Sequence, residues 1–431
     1  MTHLVWFRND LRVTDHIPLT QACKASKKVI AIYCFDPRHF GTTNFGFPKT
    51  GAFRAKFLLQ SVSDLKKNLQ ALNIPLVLKF QKPEEAIPAL VAHFSVKSVH
   101  FQKEWTSEEL AVSKTVEANV SKQATCISYY NQFLFHPEDI PYADFNKIPK
   151  VFTEFRKKSE KYTKVRDGVA IPDKRPEFDL NLSEKFQNDI PTLKELGLEP
   201  PPTDSRTAFP FSGGETSGIE RIQEYIWKKQ HITTYKQTRN ELIGTAYSSK
   251  FSAWLANGCI SPRTIYWEIK KFEKEVTKNQ DTYWMIFELI WRDFFKYVSL
   301  KHGDALFKIG GILEKEYDWG TSEEKKQDWI SGNTPYDFVN ANMKEIARTG
   351  WMSNRGRQNV ASFWAKEWKQ DWRIGASYFE SQLIDYDVHS NWGNWQYVSG
   401  VGNDPRDRKF NIERQAENYD PHGDFVALWK G

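Results

Sequence analysis

The sequence predicts an α/β domain with a doubly wound parallel sheet, followed by an all-α domain. Short apolar segments alternate with helical patterns over residues 1–130, whereas residues 206–431 carry helical patterns only. The segment between them, residues 131–205, is rich in proline and predicts a long, ordered interdomain linker. The 431-residue chain is too long for one average domain, and a hydrophobic content of 40% suffices for more than one core.

The first domain contains five apolar, partly β-branched segments of strand length. They cover residues 4–7, 29–34, 75–80, 98–101 and 125–129, and a helical pattern over residues 51–72 separates the second from the third. This alternation indicates a parallel sheet whose ligands lie at the carboxyl ends of its strands. No G-x-G-x-x-G follows the first strand and no G-x-x-x-x-G-K-[ST] occurs, which argues against an ordinary dinucleotide or P-loop site.

The second domain is predicted to be built from amphipathic helices. They cover residues 218–229, 251–257, 283–300, 335–348, 353–369 and 374–384, one more begins at Ser261-Pro262, and the linker holds another over residues 151–161. Residues 385–397, DYDVHSNWGNWQY, depart from this pattern. Because Asp, Asn and Gly have poor helix propensity, this stretch predicts a turn-rich loop, or a segment that wraps a flat ligand, rather than an ordinary helix.

Composition restricts the classes of protein that remain. The four cysteines, Cys23, Cys34, Cys126 and Cys259, show no C-x-x-C spacing, so neither a disulfide framework nor a metal site is predicted. No segment reaches the ~18 uninterrupted apolar residues of a membrane span, and the N-terminus lacks a signal-peptide layout, so we expect a cytoplasmic protein without membrane contact. The net charge of +6 mildly favours an anionic partner.

Three clusters of polar residues in the helical domain are candidates for a site. The run YSSKFS at residues 247–252 could bind phosphate at a helix start, although capping alone explains one serine. Glu288, Trp291 and Arg292 share one helical face, either an exposed ion-pair face or the wall of a polar pocket. Asn354, Arg357 and Gln358 share another face, where arginine offers a fork for phosphate or carboxylate unless the cluster is a solvated helix start.

Ordered motifs along essentially the whole chain resemble the photolyase/cryptochrome family. They are WFRNDLR at 6–12, YSSKFS at 247–252, ELIWRDF at 288–294, GWMSNR at 350–355, and residues 385–397. Four further runs resemble the DASH cryptochromes most: TGAFRAKFLL at 50–59, GGE at 213–215, RGRQNVASF at 355–363 and GNDPR at 402–406. One departure is NTPYDFVN at 333–340, where Pro335 and Asp337 alter a turn that is usual in relatives.

The resemblance implies that FAD binds in a bent form inside the helical domain. The residues that would contact it are Tyr235, Ser248, Ser249, Lys250, Phe251 and Ser252 at the phosphates, Arg292, Asn354 and Arg357 nearby, Asp385 and Asp387 at the ribose and flavin, and Asn391 at the bridging ring nitrogen. Arg357 is suited to pairing with Asp385. The family often binds an antenna, 5,10-methenyltetrahydrofolate in DASH members. Gln102, Glu104 and Lys308 are its candidates, but QKEWT at 102–106 departs from the usual motif and leaves antenna binding open.

The resemblance also implies an electron relay and a DNA cavity. Trp319, Trp372 and Trp395, separated by 53 and 23 residues, match the family's three-tryptophan relay, while three core tryptophans are the alternative. The residues that would line a cavity for a flipped-out pyrimidine dimer are Glu288, Trp291, Asn354, Arg355, Gln358 and Tyr397. Gln358 and Tyr397 replace the Met and Trp of many double-strand photolyases, a DASH pattern associated with single-stranded DNA.

The function implied is repair of cyclobutane pyrimidine dimers, preferentially in single-stranded DNA. Blue light excites reduced FAD, an electron passes to the dimer, the ring splits and the electron returns. The alternatives are a conventional double-strand photolyase and a signalling cryptochrome without repair. Because the chain ends soon after the last family motif, with no long tail, repair is favoured, and we expect a monomer.

Overall fold

We describe the protein from a computed structural model, which describes residues 1–177 and 189–430. A parallel five-stranded sheet forms the first domain, in the order β3-β2-β1-β4-β5. Its strands are β1 (Thr2–Phe7), β2 (Lys28–Cys34), β3 (Leu76–Lys79), β4 (Val96–Gln102) and β5 (Thr125–Tyr129). All five predicted strands are present, and the doubly wound sheet is confirmed.

Helices cover both faces of the sheet. They are α1 (Ile17–Ala25), α2 (Ala52–Ala71), α3 (Pro83–His93) and α4 (Ser107–Val120). Leu4 and Ile30 pack on one face with Leu90 and Val116 of α3 and α4, and the other face joins the larger core of the molecule. Because both faces are buried, the strands read as continuous apolar runs rather than as alternating ones.

The helical domain is confirmed as well. Its helices, including one in the linker, are α5 (Phe152–Tyr162), α6 (Glu215–Ile222), α7 (Tyr235–Thr238), α8 (Ser252–Ala256), α9 (Pro262–Glu275), α10 (Gln280–His302), α11 (Glu323–Ser331), α12 (Asp337–Thr349), α13 (Asn354–Ser362), α14 (Trp372–Gln382), α15 (Val388–Ser399), α16 (Ile412–Tyr419) and α17 (Asp424–Trp429). π-Helical turns over Gln223–Lys228 and Phe363–Glu367 continue α6 and α13. Residues 178–188 of the predicted linker lie outside the described residues.

The prediction that residues 385–397 do not form an ordinary helix is wrong from Val388 onward. The Asp387 carboxylate accepts the Ser390 N–H at 2.8 Å and caps the start of α15, and Gly400 ends the helix with a φ of +84°. Trp392 and Trp395 are buried where α15 packs against α10 and α14. Tertiary packing and a cap therefore outweigh the poor propensity of Asn and Gly here.

The run after β1 joins the two domains. The buried Arg12 guanidinium donates to the carbonyl oxygens of Gly258 and Asn131, at 2.8 and 3.3 Å. Glu215 accepts the N–H groups of Val13 and Thr14, both at 2.8 Å. The motifs at 6–12 and 213–215 thus fix the relative position of the sheet and the helices.

Candidate cofactor and substrate cavities

Two adjoining cavities, a larger and a smaller one, lie in the helical domain. Both are lined by Asn354, Arg357, Asp385 and Asp387, at the start of α13 and in the turn before α15. All twelve residues assigned to cofactor binding from the sequence line one cavity or both: Tyr235, Ser248, Ser249, Lys250, Phe251, Ser252, Arg292, Asn354, Arg357, Asp385, Asp387 and Asn391.

Lys250 brings a buried cation to the wall of the larger cavity. Its Nζ lies 3.1 Å from the centroid of the Tyr247 ring and has no hydrogen-bond partner within the described chain. Burial lowers the pKa of Lys250 well below its ordinary value, and burial raises the pKa of the neighbouring Glu345 to about 8. A buried amino group without a partner, beside two serines, is suited to an anionic group such as a phosphate, whose charge would favour the protonated form of Lys250.

Two carboxylates in the turn before α15 are each paired with a cation. Asp385 accepts the Arg357 guanidinium at 2.9 and 3.0 Å, which confirms the predicted pair. Asp387 pairs with Lys296 of α10 at 3.0 Å. Burial raises the pKa of Asp387, but electrostatic interactions with Lys296, His389 and Arg292 lower it by more. The pKa of Asp387 therefore lies well below its usual range. Asp387 is therefore an ionised acceptor at neutral pH.

Lys296 was missed by the sequence reasoning. It lies one turn after Arg292, on the face of α10 that was already identified, so its i+4 position was an available signal. Arg292 itself donates to the carbonyl oxygens of Gln132 and Leu255, at 2.7 and 3.2 Å. It therefore fixes the linker and α8 as well as lining the cavity.

Asn391 lines the smaller cavity, and a backbone carbonyl orients its amide. Its Nδ2 donates to the Ala376 carbonyl oxygen at 3.0 Å, which assigns the amide orientation. The Oδ1 atom remains available as an acceptor. This arrangement suits a ligand that presents an N–H group there.

Of the three tryptophans assigned to the relay, Trp395 lines the smaller cavity, and Trp372 and Trp319 lie at the start of α14 and in the chain beside it. Trp395 lines the cavity, and its ring is so close to Gly375 that a Cβ there would lie 2.2 Å from Cη2. Trp372 lies three residues before Gly375, on the same face of α14. A parallel bridge between Gly320 and Gln370 brings the chain at Trp319 beside the start of α14.

Ring contacts do not join the three relay tryptophans to one another within the described chain. Their nearest aromatic partners are Tyr317 for Trp319 at 5.3 Å, Trp392 for Trp372 at 5.7 Å, and Phe379 for Trp395 at 5.1 Å. The relay therefore stays a prediction, supported by the course of α14 and by the bridge rather than by stacking.

Only some of the residues assigned to DNA line the cavities. Glu288, Asn354 and Gln358 do, and Glu288 pairs with Arg239 at 2.6 Å, while burial raises the pKa of Glu288. The other three, Trp291, Arg355 and Tyr397, are outside this lining. Arg355 is turned toward Asn240, Gln358 and the Tyr419 ring.

Trp291 is sandwiched between aromatic neighbours. Phe152 of α5 stacks on it with ring centroids 3.7 Å apart, and the ring of Tyr397 meets it at 89° and 6.0 Å. The Tyr397 hydroxyl accepts from Arg408 at 2.9 Å. The contact of Phe152 with Trp291 could not be predicted from a local pattern, because it depends on how the linker folds back over α10.

The candidate antenna residues are only partly brought together. Gln102 donates to Glu104 at 2.8 Å, and both side chains are buried at the carboxyl end of β4. Burial, with the charge of Glu109, raises the pKa of Glu104 to about 8. Lys308 is exposed after α10, and within the described chain no contact joins it to this pair.

Neither a metal cluster nor a membrane helix is found in the parts of the chain that the structure describes. No group of three or more His, Cys, Asp or Glu residues there could hold a metal ion. None of the described helices is long and apolar enough to cross a bilayer.

Comparisons with known proteins match the chain almost from end to end. The family model for DNA photolyase matches residues 3–177, and the model for the FAD binding domain of DNA photolyase matches residues 284–430. Cryptochrome DASH of Gloeobacter violaceus is 49% identical over 99% of this chain and 85% of its own length. Cryptochrome DASH of Xenopus laevis is 46% identical over 98% of this chain and 81% of its own length.

Two solved structures have the same fold. The crystal structure of a Synechocystis cryptochrome superposes with a TM-score of 0.94 at 44% identity, covering 99% of this chain and 88% of that one. A class III photolyase from Agrobacterium tumefaciens gives a TM-score of 0.83 at 25% identity, covering 100% and 86%. The cavity-lining helices α10, α13 and α15 all fall within the matched FAD binding domain.

Proposed function

The chain belongs to the photolyase/cryptochrome family, and from this premise we propose that it is a DASH-type cryptochrome that splits cyclobutane pyrimidine dimers in single-stranded DNA. The reaction class is a light-dependent carbon–carbon lyase. The observation that supports this most is the lining of the two adjoining cavities, where all twelve proposed cofactor residues meet three of the proposed DNA residues. Cofactor and lesion would therefore share one wall.

The residues present fit FAD. Lys250 offers an unpartnered amino group and Ser248, Ser249 and Ser252 offer hydroxyls for the phosphates, while Asp385 and Asp387 offer acceptors for ribose hydroxyls and ring N–H groups. When bound, FAD supplies the light-driven electron that opens the dimer. The chain's own contribution is to bind, orient and exclude water.

Asn391 is proposed to accept a hydrogen bond from the bridging ring nitrogen of the flavin when that nitrogen is protonated. With one Nδ2 hydrogen bonded to the Ala376 carbonyl, Oδ1 is the acceptor that Asn391 can offer to a ring N–H. Arg357 and Lys296 pair with the two nearby carboxylates, Asp385 and Asp387. The local charges are thus fixed before light is absorbed.

Glu288 is proposed to bind a pyrimidine carbonyl of the lesion. Burial raises the pKa of Glu288, and a protonated carboxyl group on this wall could donate a hydrogen bond to a pyrimidine carbonyl oxygen. Asn354 and Gln358 supply further amide groups on the same wall. A substrate with several carbonyl and N–H edges, such as a pair of fused pyrimidines, matches this set.

The strand preference is proposed to follow from limited stacking surface. Phe152 covers one face of Trp291, and Gln358 and Tyr397 are more polar than Met and Trp. Extracting a dimer from a duplex costs a few kcal/mol of unpairing, which stacking has to offset. A single strand avoids most of that cost.

Comparing single- and double-stranded substrates tests this proposal. Reduced protein illuminated with dimer-containing oligonucleotides should restore bases faster in the single strand, and Gln358→Met with Tyr397→Trp should raise the duplex rate relative to the single-strand rate. Equal repair of both strand types by the native protein would contradict the strand preference and favour a conventional photolyase. Repair of neither strand type would contradict the proposed enzyme activity and favour a signalling cryptochrome.

We also propose that 5,10-methenyltetrahydrofolate binds near Gln102 and Glu104 as an antenna, and that the protein acts as a cytoplasmic monomer. The buried, polar Gln102–Glu104 pair supports the first point. Release of a folate together with FAD when the purified protein is denatured would support the antenna, and release of FAD alone would contradict it.

A further inference from the structure

Trp319, the outer end of the proposed relay, contacts Tyr317, a residue that the sequence analysis did not assign to the site. The rings of Trp319 and Tyr317 meet edge to face, with centroids 5.3 Å apart. The Tyr317 side chain is 38% exposed, and its hydroxyl donates to Asp407 Oδ2 at 3.0 Å. An aromatic ring that touches Trp319 and also has a proton acceptor is thus present at the surface.

Trp319 lacks such an acceptor of its own. Its Nε1–H is buried and has no hydrogen-bond partner within the described chain. A tryptophan that loses an electron becomes a cation, and it becomes neutral only by releasing that N–H proton or by regaining an electron. With the N–H enclosed, regaining an electron is the open route, and Tyr317 is the ring that can supply it.

We propose that Tyr317 is the terminal electron donor of the relay and that Asp407 receives its proton. This rests on the proposed relay through Trp319. One electron passes from Tyr317 to the oxidised Trp319, the phenolic O–H bond breaks, and the proton moves to the Asp407 carboxylate. The products are a neutral Trp319 and a neutral tyrosyl radical, and light-excited, oxidised FAD would be the oxidant that takes the electron from Trp319 through Trp372 and Trp395.

The charges around Tyr317 favour transfer of the electron and the proton together. Lys366 and Lys315 lie 5.2 and 5.7 Å from the Tyr317 ring centroid, so a cationic tyrosine radical would face two ammonium groups. The same lysines pair with Asp407, Lys366 directly and Lys315 at 3.9 Å. Although partial burial raises the pKa of Asp407, hydrogen bonds from Lys366 and Tyr317 lower it below its usual value, so a carboxylate is available as the acceptor.

The consequence is a longer-lived separation of charge. Once Trp319 is neutral, the electron on the cofactor cannot return to it, and the radical resides on an exposed ring. Small reductants in solution can then reach Tyr317 and restore it. The inner relay residue Trp372 is fully buried, so it is not open to such reductants.

Flash photolysis of the oxidised holoprotein tests the assignment. The native protein should form a tyrosyl radical, seen by transient absorption and by electron paramagnetic resonance, as the tryptophan radical decays, and that decay should slow in D₂O. Tyr317→Phe should lose the tyrosyl signal and the D₂O effect, and Asp407→Asn should lose the D₂O effect. Tyr336→Phe, whose ring packs on Phe363, is the matched control and should behave like the native protein.

Outcomes for the relay and for Tyr317 are separable. If Trp319→Phe leaves the rate of cofactor photoreduction unchanged, the relay itself is wrong. If Trp319→Phe slows photoreduction but Tyr317→Phe keeps the tyrosyl signal and the D₂O effect, the relay stands and the role of Tyr317 is overturned. FAD content and thermal midpoints of all variants confirm that each one is folded.

Discussion

At the scale of single residues, the two carboxylates in the turn before α15 show how the cavity holds charge. Asp385 is paired with Arg357, and Asp387 is paired with Lys296 while also capping α15. Neither Lys296 nor Asp387 is exposed enough for water to replace a missing partner. Removing one member of such a pair should therefore destabilise the fold, because the other member stays buried as an uncompensated charge.

Lys296→Met should destabilise the protein by about 3–5 kcal/mol, since it leaves the Asp387 carboxylate buried without its cation. The free energy of unfolding in urea measures this. Adding Asp387→Asn should recover part of the loss, because the unpaired charge is then gone. Lys157→Met, on an exposed position of α5, is the control and should change stability by less than about 0.5 kcal/mol. If Lys296→Met behaved like this control, the pair would carry no charge-holding role.

Residue types at the site were predictable where they belong to a local pattern, and unpredictable where folding alone brings them in. The cavity-lining serines, Asn354 and Asp385 stand in short runs that can be read along the chain. Arg239, Phe152 and Tyr317 carry no such signal, because each reaches its partner through a turn or linker whose path the sequence does not state.

At the scale of elements, α15 shows where sequence reasoning fails and why. Asn and Gly lower the intrinsic helix propensity by up to about 1 kcal/mol per residue, but the buried indoles of Trp392 and Trp395 return more than that on packing. Close packing between α14 and α15 also requires a glycine at position 375. Gly375 of α14 admits the Trp395 ring where any Cβ would collide with it.

Gly375→Ala should therefore destabilise the protein by about 1–3 kcal/mol, although alanine is the better helix former. The Trp395 ring would have to move, so cofactor photoreduction should slow as well. Thermal unfolding and photoreduction rates measure the two effects. Gly41→Ala, where the added Cβ meets only an ordinary contact at 3.6 Å, is the control. A stabilised Gly375→Ala protein would show that the ring is not fixed there.

At the scale of the whole molecule, the five strands were the most predictable part, because a parallel sheet buried on both faces leaves uninterrupted apolar runs in the sequence. The contact between the two domains was less predictable from the sequence. Trp105, after β4, stacks on His389 of α15 at 4.6 Å and donates to Ser299 of α10 at 3.0 Å. Glu104 lies next to that stack and is buried between the domains.

Glu104 should make stability depend on pH. Burial raises its pKa from 4.5 to about 8, so between these values the folded protein keeps a proton that the unfolded chain has released. The free energy of unfolding should then fall as pH rises from 4.5 to 8, by up to about 5 kcal/mol relative to Glu104→Gln. Thermal midpoints of the two proteins across this range measure the difference. A constant difference would mean that Glu104 titrates normally.

The central claim is that light absorbed by the bound cofactor splits a pyrimidine dimer held on the wall formed by Glu288, Asn354 and Gln358. The most direct measurement counts restored pyrimidines in a single-stranded oligonucleotide that carries one dimer, with reduced holoprotein in blue light and in the dark. We predict restoration in blue light only, and its loss in Glu288→Ala protein that retains FAD. No restoration in the light by native, reduced, FAD-loaded protein would contradict the claim.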